Sequence, residues 1–181
     1  MNLPNKLTIL RVCMIPFFLF FMLTDFIQGS KYIALTIFVV ASLTDLLDGH
    51  IARKYKLITN FGKFMDPIAD KLLVCSAIIC FVEIGLLPAW IVVIIISREF
   101  IINGFRLIAS DKGIVIAASN YGKLKTVFQM AMIIVLIADI QIKGFEVLET
   151  ILIYGALILT VISLVDYLIK NKSVLQEGGD N

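Results

Sequence analysis

Charged residues are scarce in this chain of 181 residues: Asp, Glu, Lys and Arg make up 17%, against 60% hydrophobic residues. A soluble domain carries about 25% charged residues, so an ordinary soluble fold is excluded. Cysteine is sparse as well. Cys13, Cys75 and Cys80 lie scattered in apolar runs and form no close metal-binding pair. An odd, scattered set reads as core packing and excludes a disulfide framework. His50 is the single histidine, and there is no internal repeat or low-complexity segment. The net charge is only +2, which gives no reason to expect a nucleic-acid partner. No small-residue cleavage site follows the first apolar run and the next begins at once. That run therefore reads as a retained span, not a signal peptide.

What is present is a series of six apolar runs. They cover 7–27, 31–53, a third from between Gly62 and Asp66 to near Leu86, 88–108, 125–140 and 148–169. About 20 helical residues cross a ~30 Å hydrocarbon core. The expected fold is all-α: an integral membrane bundle of six transmembrane helices behind a short interfacial segment over 1–7. It forms one domain over 1–172, followed by a polar tail over 173–181. Pro67 and Pro88 are expected at helix starts, where a missing N–H does no harm. The fifth run is short if it stops at Asp139. Arg53, Lys54, Lys56 and Lys63 flank one connection, and Arg106, Lys112, Lys123 and Lys125 another, on the side of both termini; the far side has only Lys31 and Lys143. The positive-inside rule puts both termini at the cytoplasmic face of the cell membrane. Tyr32 and Trp90 fit the outer interface, as amphipathic rings do.

One stretch breaks the apolar pattern. Residues 45–70 read DLLDGHIARKYKLITNFGKFMDPIAD, with carboxylates in two pairs, Asp45/Asp48 and Asp66/Asp70. Acids at a hydrocarbon boundary are costly and usually functional. Spacings of three and four put each pair on one helix face. Four convergent carboxylates repel at low dielectric unless protonated or met by cations. An all-oxygen set favours Mg²⁺ or Mn²⁺, as one or two ions. Gly49 and Gly62 leave room for a phosphate-bearing ligand to approach the backbone, and Arg53 is within reach of a phosphate. No serine, cysteine or histidine nucleophile accompanies the acids. The competing reading, a structural ion-pair cluster, needs more cations than this stretch supplies.

The pattern D-x2-D-G-x2-A-R-x8-G-x3-D-x3-D, formed by Asp45, Asp48, Gly49, Ala52, Arg53, Gly62, Asp66 and Asp70, resembles the signature of the CDP-alcohol phosphatidyltransferases. The resemblance implies a membrane enzyme that displaces CMP from a CDP-linked lipid, here CDP-diacylglycerol, with an alcohol. It implies that all four aspartates serve a metal site, and that Asp70 acts as general base. Gly49, Ala52, Arg53 and Gly62 would line the CDP diphosphate, and the protein would be a homodimer. The opening PNKLTILR places Asn5, Thr8 and Arg11 near the nucleotide. The series SREF, GFR, YGKLKT resembles the branch whose acceptor is glycerol 3-phosphate, with Arg98, Arg106, Lys123 and Lys125 as candidates for its phosphate.

Other residues keep two readings. Arg98 and Glu99 are adjacent, so they are expected on different faces and with separate partners; Glu99 suits a buried interhelical pair or a functional role. Lys123 and Lys125 fit a phosphate site or an interfacial anchor. His50 sits at a variable position of the motif and reads as pocket-lining. Three rivals bear weighing: a sister enzyme with serine, inositol or another acceptor, an aspartate-rich prenyltransferase, and a cation or proton transporter. The prenyltransferase lacks the D-G-x2-A-R linkage, and the transporter would favour mid-span acids and repeated helices.

Overall fold

Lipid offers the backbone no hydrogen-bond partners, so long apolar runs settle as helices that satisfy their own N–H and C=O groups. The computed structural model describes residues 3–24, 26–54, 60–111, 119–142 and 144–171, with side chains except at 3–4, 46–54, 60–64, 66–67 and 110–111. Among the described residues there are six helices and no strand: α1 (Leu3–Leu23), α2 (Ser30–Lys54), α3 (Asn60–Glu83), α4 (Ala89–Asp111), α5 (Asn120–Ala138) and α6 (Phe145–Lys170). Three of them, over Asn5–Leu23, Asn120–Ala138 and Phe145–Lys170, are long and apolar enough to cross a membrane. α4 carries Arg98, Glu99 and Arg106 within its length.

Five helices begin earlier than the apolar runs, α2 by one residue and α6 by three, and in α1, α3 and α5 the added residues bear on the site. The polar lead-in is helical from Leu3, and α5 takes in Asn120 to Lys125. α3 opens at Asn60, so Pro67 falls well inside the helix and not in its first turn. The physical reason is common to all three. Polar residues at a membrane surface do not end a helix, because the backbone ladder continues as long as no residue breaks it. At the other end of α3 a glycine does break it. Gly85 adopts φ 76°, and the N–H groups of Leu86 and Leu87 both donate to the Phe81 carbonyl, at 2.8 and 3.0 Å. This is the left-handed helix ending that glycine permits.

The packing divides into two units. The first holds α1, α2 and α3 with Leu136–Asp139. α1 buries Asn5, Thr8, Arg11, Ile15, Phe18 and Met22, spaced as one helical face. α2 meets it with Ala34, Phe38 and Ala41, and α3 with Ala69, Leu73 and Ala77. Small residues on those faces let the helix backbones come close. Phe18 and Phe38 pack with ring centroids 5.9 Å apart. Arg11, seven residues before Phe18, pairs with Asp45, seven after Phe38, so α1 and α2 are antiparallel. At the far end of this unit Lys31 bonds Asp139 at 2.5 Å.

The second unit holds α4, α6 and most of α5. Arg98 reaches Ser163 and Phe105 stacks edge-on against Tyr167, so α4 and α6 run the same way. α5 approaches α6 closely at Gly155, where an added Cβ would stand 2.8 Å from the Phe128 ring. Gly155→Ala gains at most about 1 kcal/mol of helix propensity, whereas overpacking costs about 1–3 kcal/mol. We therefore expect a lower thermal midpoint for Gly155→Ala in detergent, restored by adding Phe128→Leu. An unchanged midpoint would show that the ring turns aside freely.

The outward surface is apolar. Phe17, Val93, Phe100, Val127 and Ile169 are each more than half exposed. Patches of that kind face lipid or a partner, not water. Tyr32 and Trp90 are exposed at the starts of α2 and α4.

Candidate active site

The first unit gathers its polar groups at the end of α1 where the chain begins. Asn5, Thr8 and Arg11 occupy one buried stripe of α1, spaced by three and so stacked turn upon turn. The fully buried Arg11 guanidinium lies 2.7 Å from Asp45, whose side chain is one-third exposed. Arg11 is thus a cation for the aspartate motif that comes from outside the motif. No local spacing announces it, because the pairing crosses between helices. Asp70 lies on α3 beside the fully buried Ala69, with Lys71 Nζ at 3.1 Å.

The backbones put Asp45 and Asp48 one turn apart on α2, and Asp66 and Asp70 one turn apart on α3. The side chains of Asp48 and Asp66 lie outside the described residues, as do the side-chain surroundings of Gly49, His50, Ala52, Arg53 and Gly62. Among the described residues no three His, Cys, Asp or Glu side chains come together, a set that omits two of the four aspartates. The four aspartates of the motif offer carboxylate oxygens, and Cys75 and Cys80 are buried in the apolar core. Such a set fits a hard divalent cation and not zinc.

The second unit holds a separate polar cluster. Arg98 and Glu99 pair with each other, Nη1 to Oε1 at 3.0 Å, which corrects the expectation of separate partners. Adjacent Cβ atoms do diverge, but the long guanidinium stem curls back far enough to close the gap. Glu99 also accepts from Lys125 of α5. Arg98 Nε donates to Ser163 Oγ at 3.1 Å, and that hydroxyl donates to the Thr160 carbonyl at 3.0 Å. Arg98, Glu99, Lys125, Thr160 and Ser163 are all buried. Among the described residues, Arg98 and Lys125 share that one carboxylate.

The four basic candidates therefore divide. Arg98 and Lys125 are buried together on Glu99. Arg106 and Lys123 are exposed. Lys112 lies outside the described residues. Sequence reasoning passed over Gln129, Thr160, Ser163 and Tyr167, all buried polar residues. Their signal was available: polar residues at three- and four-residue spacing on otherwise apolar helices mark an inward stripe.

Comparison with known proteins agrees with the aspartate pattern. The family model for CDP-alcohol phosphatidyltransferase matches residues 1–162. A Bacillus subtilis CDP-diacylglycerol–glycerol-3-phosphate 3-phosphatidyltransferase is 40% identical, over 97% of this chain and 97% of its own. The protein of that name from Haemophilus influenzae is 41% identical over 92% and 91%. The one from Rickettsia felis is 37% identical over 90% and 91%.

Proposed function

We propose that this chain, which belongs to the CDP-alcohol phosphatidyltransferase family and is a membrane phosphatidyltransferase, transfers a phosphatidyl group from CDP-diacylglycerol to glycerol 3-phosphate. The products are phosphatidylglycerophosphate and CMP. The observation that carries this reading is 40% identity, end to end, with a relative whose name states that donor and that acceptor.

The residues divide the work as follows. Asp45, Asp48, Asp66 and Asp70 are the ligands for one or two Mg²⁺ or Mn²⁺ ions. When bound, those ions supply charge stabilisation on the donor diphosphate. Gly49, Ala52, Arg53 and Gly62 line the diphosphate, and Asn5 and Thr8 face the nucleotide. Arg11 holds Asp45 in a fixed orientation through their 2.7 Å contact. Asp70 accepts the proton from the acceptor hydroxyl as its oxygen attacks the lipid-bearing phosphorus. The bond to CMP breaks, and the phosphatidyl group stays in the bilayer. Arg98, Arg106, Lys123 and Lys125 receive the acceptor's phosphate. The chain makes six passes with both termini and the aspartate site in the cytoplasm, and works as a homodimer in the cell membrane. Loop lysines and arginines support that orientation.

The test is a panel of acceptors. Purified protein with CDP-diacylglycerol should release CMP with glycerol 3-phosphate and not with glycerol, serine or inositol. Equal release with an unphosphorylated alcohol overturns the acceptor. A charge-assisted hydrogen bond contributes about 1.5–3 kcal/mol, so Arg106→Ala should raise the acceptor KM about tenfold or more, with the donor KM nearly unchanged. Lys170→Ala removes an exposed lysine paired within its own helix and should change neither.

A further inference from the structure

The Arg98 guanidinium is used on two of its three nitrogens. Nε is engaged by Ser163 and Nη1 by Glu99. The third, Nη2, makes no hydrogen bond among the described residues, and it is not sealed from its surroundings. What lies beside it is Gly122, at the first turn of α5. A Cβ on residue 122 would stand 3.3 Å from Nη2 and 3.5 Å from Ser119 Oγ. The backbone of Gly122 is already tied down: its N–H donates to Ser119 Oγ at 3.1 Å, and its carbonyl accepts from Thr126 Oγ1 at 3.0 Å. Ser119 Oγ would be in ordinary contact, so Arg98 is the neighbour that has to give by a few tenths of an ångström. Arg98 is held from two sides, and α5 is anchored by the Lys125–Glu99 pair three residues on.

We propose that Glu99 and Gly122 are positioning residues for acceptor recognition: Glu99 fixes Arg98 and Lys125, and Gly122 keeps the Nη2 edge of Arg98 open to an anionic oxygen. This rests on the acceptor reading above and assigns roles to two residues that have none there. The chemistry favours Nη2 because a guanidinium donates in its plane, and its other two nitrogens, Nε and Nη1, are committed to Ser163 and Glu99. An arginine with a fixed fork loses less freedom on binding phosphate than a mobile one. Glu99 also sets the charge. A carboxylate set between two buried cations lessens their repulsion when no phosphate is bound.

The experiment uses the full chain in detergent, following CMP release with glycerol 3-phosphate and CDP-diacylglycerol varied in turn. Inorganic phosphate serves as a competitive probe. Gly122→Ala displaces Arg98 by a few tenths of an ångström and crowds Nη2. Its acceptor KM should rise about three- to tenfold, since a full 1 Å misplacement costs about 10²-fold. The phosphate inhibition constant should rise in step, while the donor KM, kcat and thermal midpoint hold. Glu99→Gln should raise the acceptor KM further, and Glu99→Asp should recover part of it. An unchanged acceptor KM in Gly122→Ala overturns the proposal. So does an equal rise for both substrates, a rise not matched by the phosphate constant, or a loss in Glu99→Gln explained by a lower thermal midpoint alone. Failure of the acceptor reading shows differently, in the wild type's choice among alcohols.

Discussion

Asp70→Asn is expected to reduce turnover to near background, by a factor of about 10²–10⁴, the usual contribution of a positioned general base. The carboxamide keeps the size and one oxygen of the side chain but cannot act as a base for the acceptor hydroxyl. The fold should tolerate the change. Asp70 is partly exposed and its contact with Lys71 is between two accessible groups, a pairing that contributes about 0–1 kcal/mol. The substitution also leaves Ala69 and Leu73 of α3 in the core. Binding of CDP-diacylglycerol, measured by displacement of a labelled nucleotide, should fall much less than the rate. Wild-type turnover in Asp70→Asn would remove this residue from proton transfer. Lys71→Ala should leave the rate within about twofold, because an exposed adjacent pair orients little.

Excess chelator is expected to stop the reaction completely, and added Mg²⁺ or Mn²⁺ to restore it. The reasoning is electrostatic. The motif has two carboxylates one turn apart on α2 and two one turn apart on α3, and the cations described beside them are Arg11 at Asp45 and Lys71 at Asp70. Bringing a diphosphate to that place adds further negative charge, which the residues alone cannot balance at low dielectric. Asp48→Ala should lose the metal response and the activity together while still inserting in the membrane. Full turnover in chelator would mean that the aspartates act without a metal, and the ligand roles proposed for them would fall.

How far the sequence carried differs from element to element. The existence of all six helices was legible, because an apolar run in lipid has no other way to satisfy its backbone. Their starts were not. Leu3 to Leu7, Asn60 to Asp66 and Asn120 to Lys125 interrupt their apolar residues with Pro, Gly, Asn, Lys or Asp, and such mixed stretches suggest loop until the surrounding helix is known. The aspartate pairs were legible from spacing alone, since a turn of helix fixes which residues stand together. Arg11 meeting Asp45 was not, because contacts between helices depend on how two faces align and leave no mark on local spacing. Arg98 with Glu99 was misread for a different reason. Cβ directions forbid the pair on a short side chain, and arginine has four rotatable bonds with which to evade them.

The α1–α2 pairing has a consequence for bilayers of unequal thickness. Arg11 with Asp45 and Phe18 with Phe38 fasten the two helices at two points, two turns apart. Slipping one helix past the other by a single turn, about 5.4 Å, would separate both pairs at once and leave the guanidinium facing apolar neighbours. Hydrophobic mismatch can therefore not be absorbed by sliding within this hairpin. A tilt of α1, which is long and apolar enough to cross a membrane, has to carry α2 and Asp45 along with the N-terminal stripe. The stripe of Asn5, Thr8 and Arg11 and the first aspartate then move as one body.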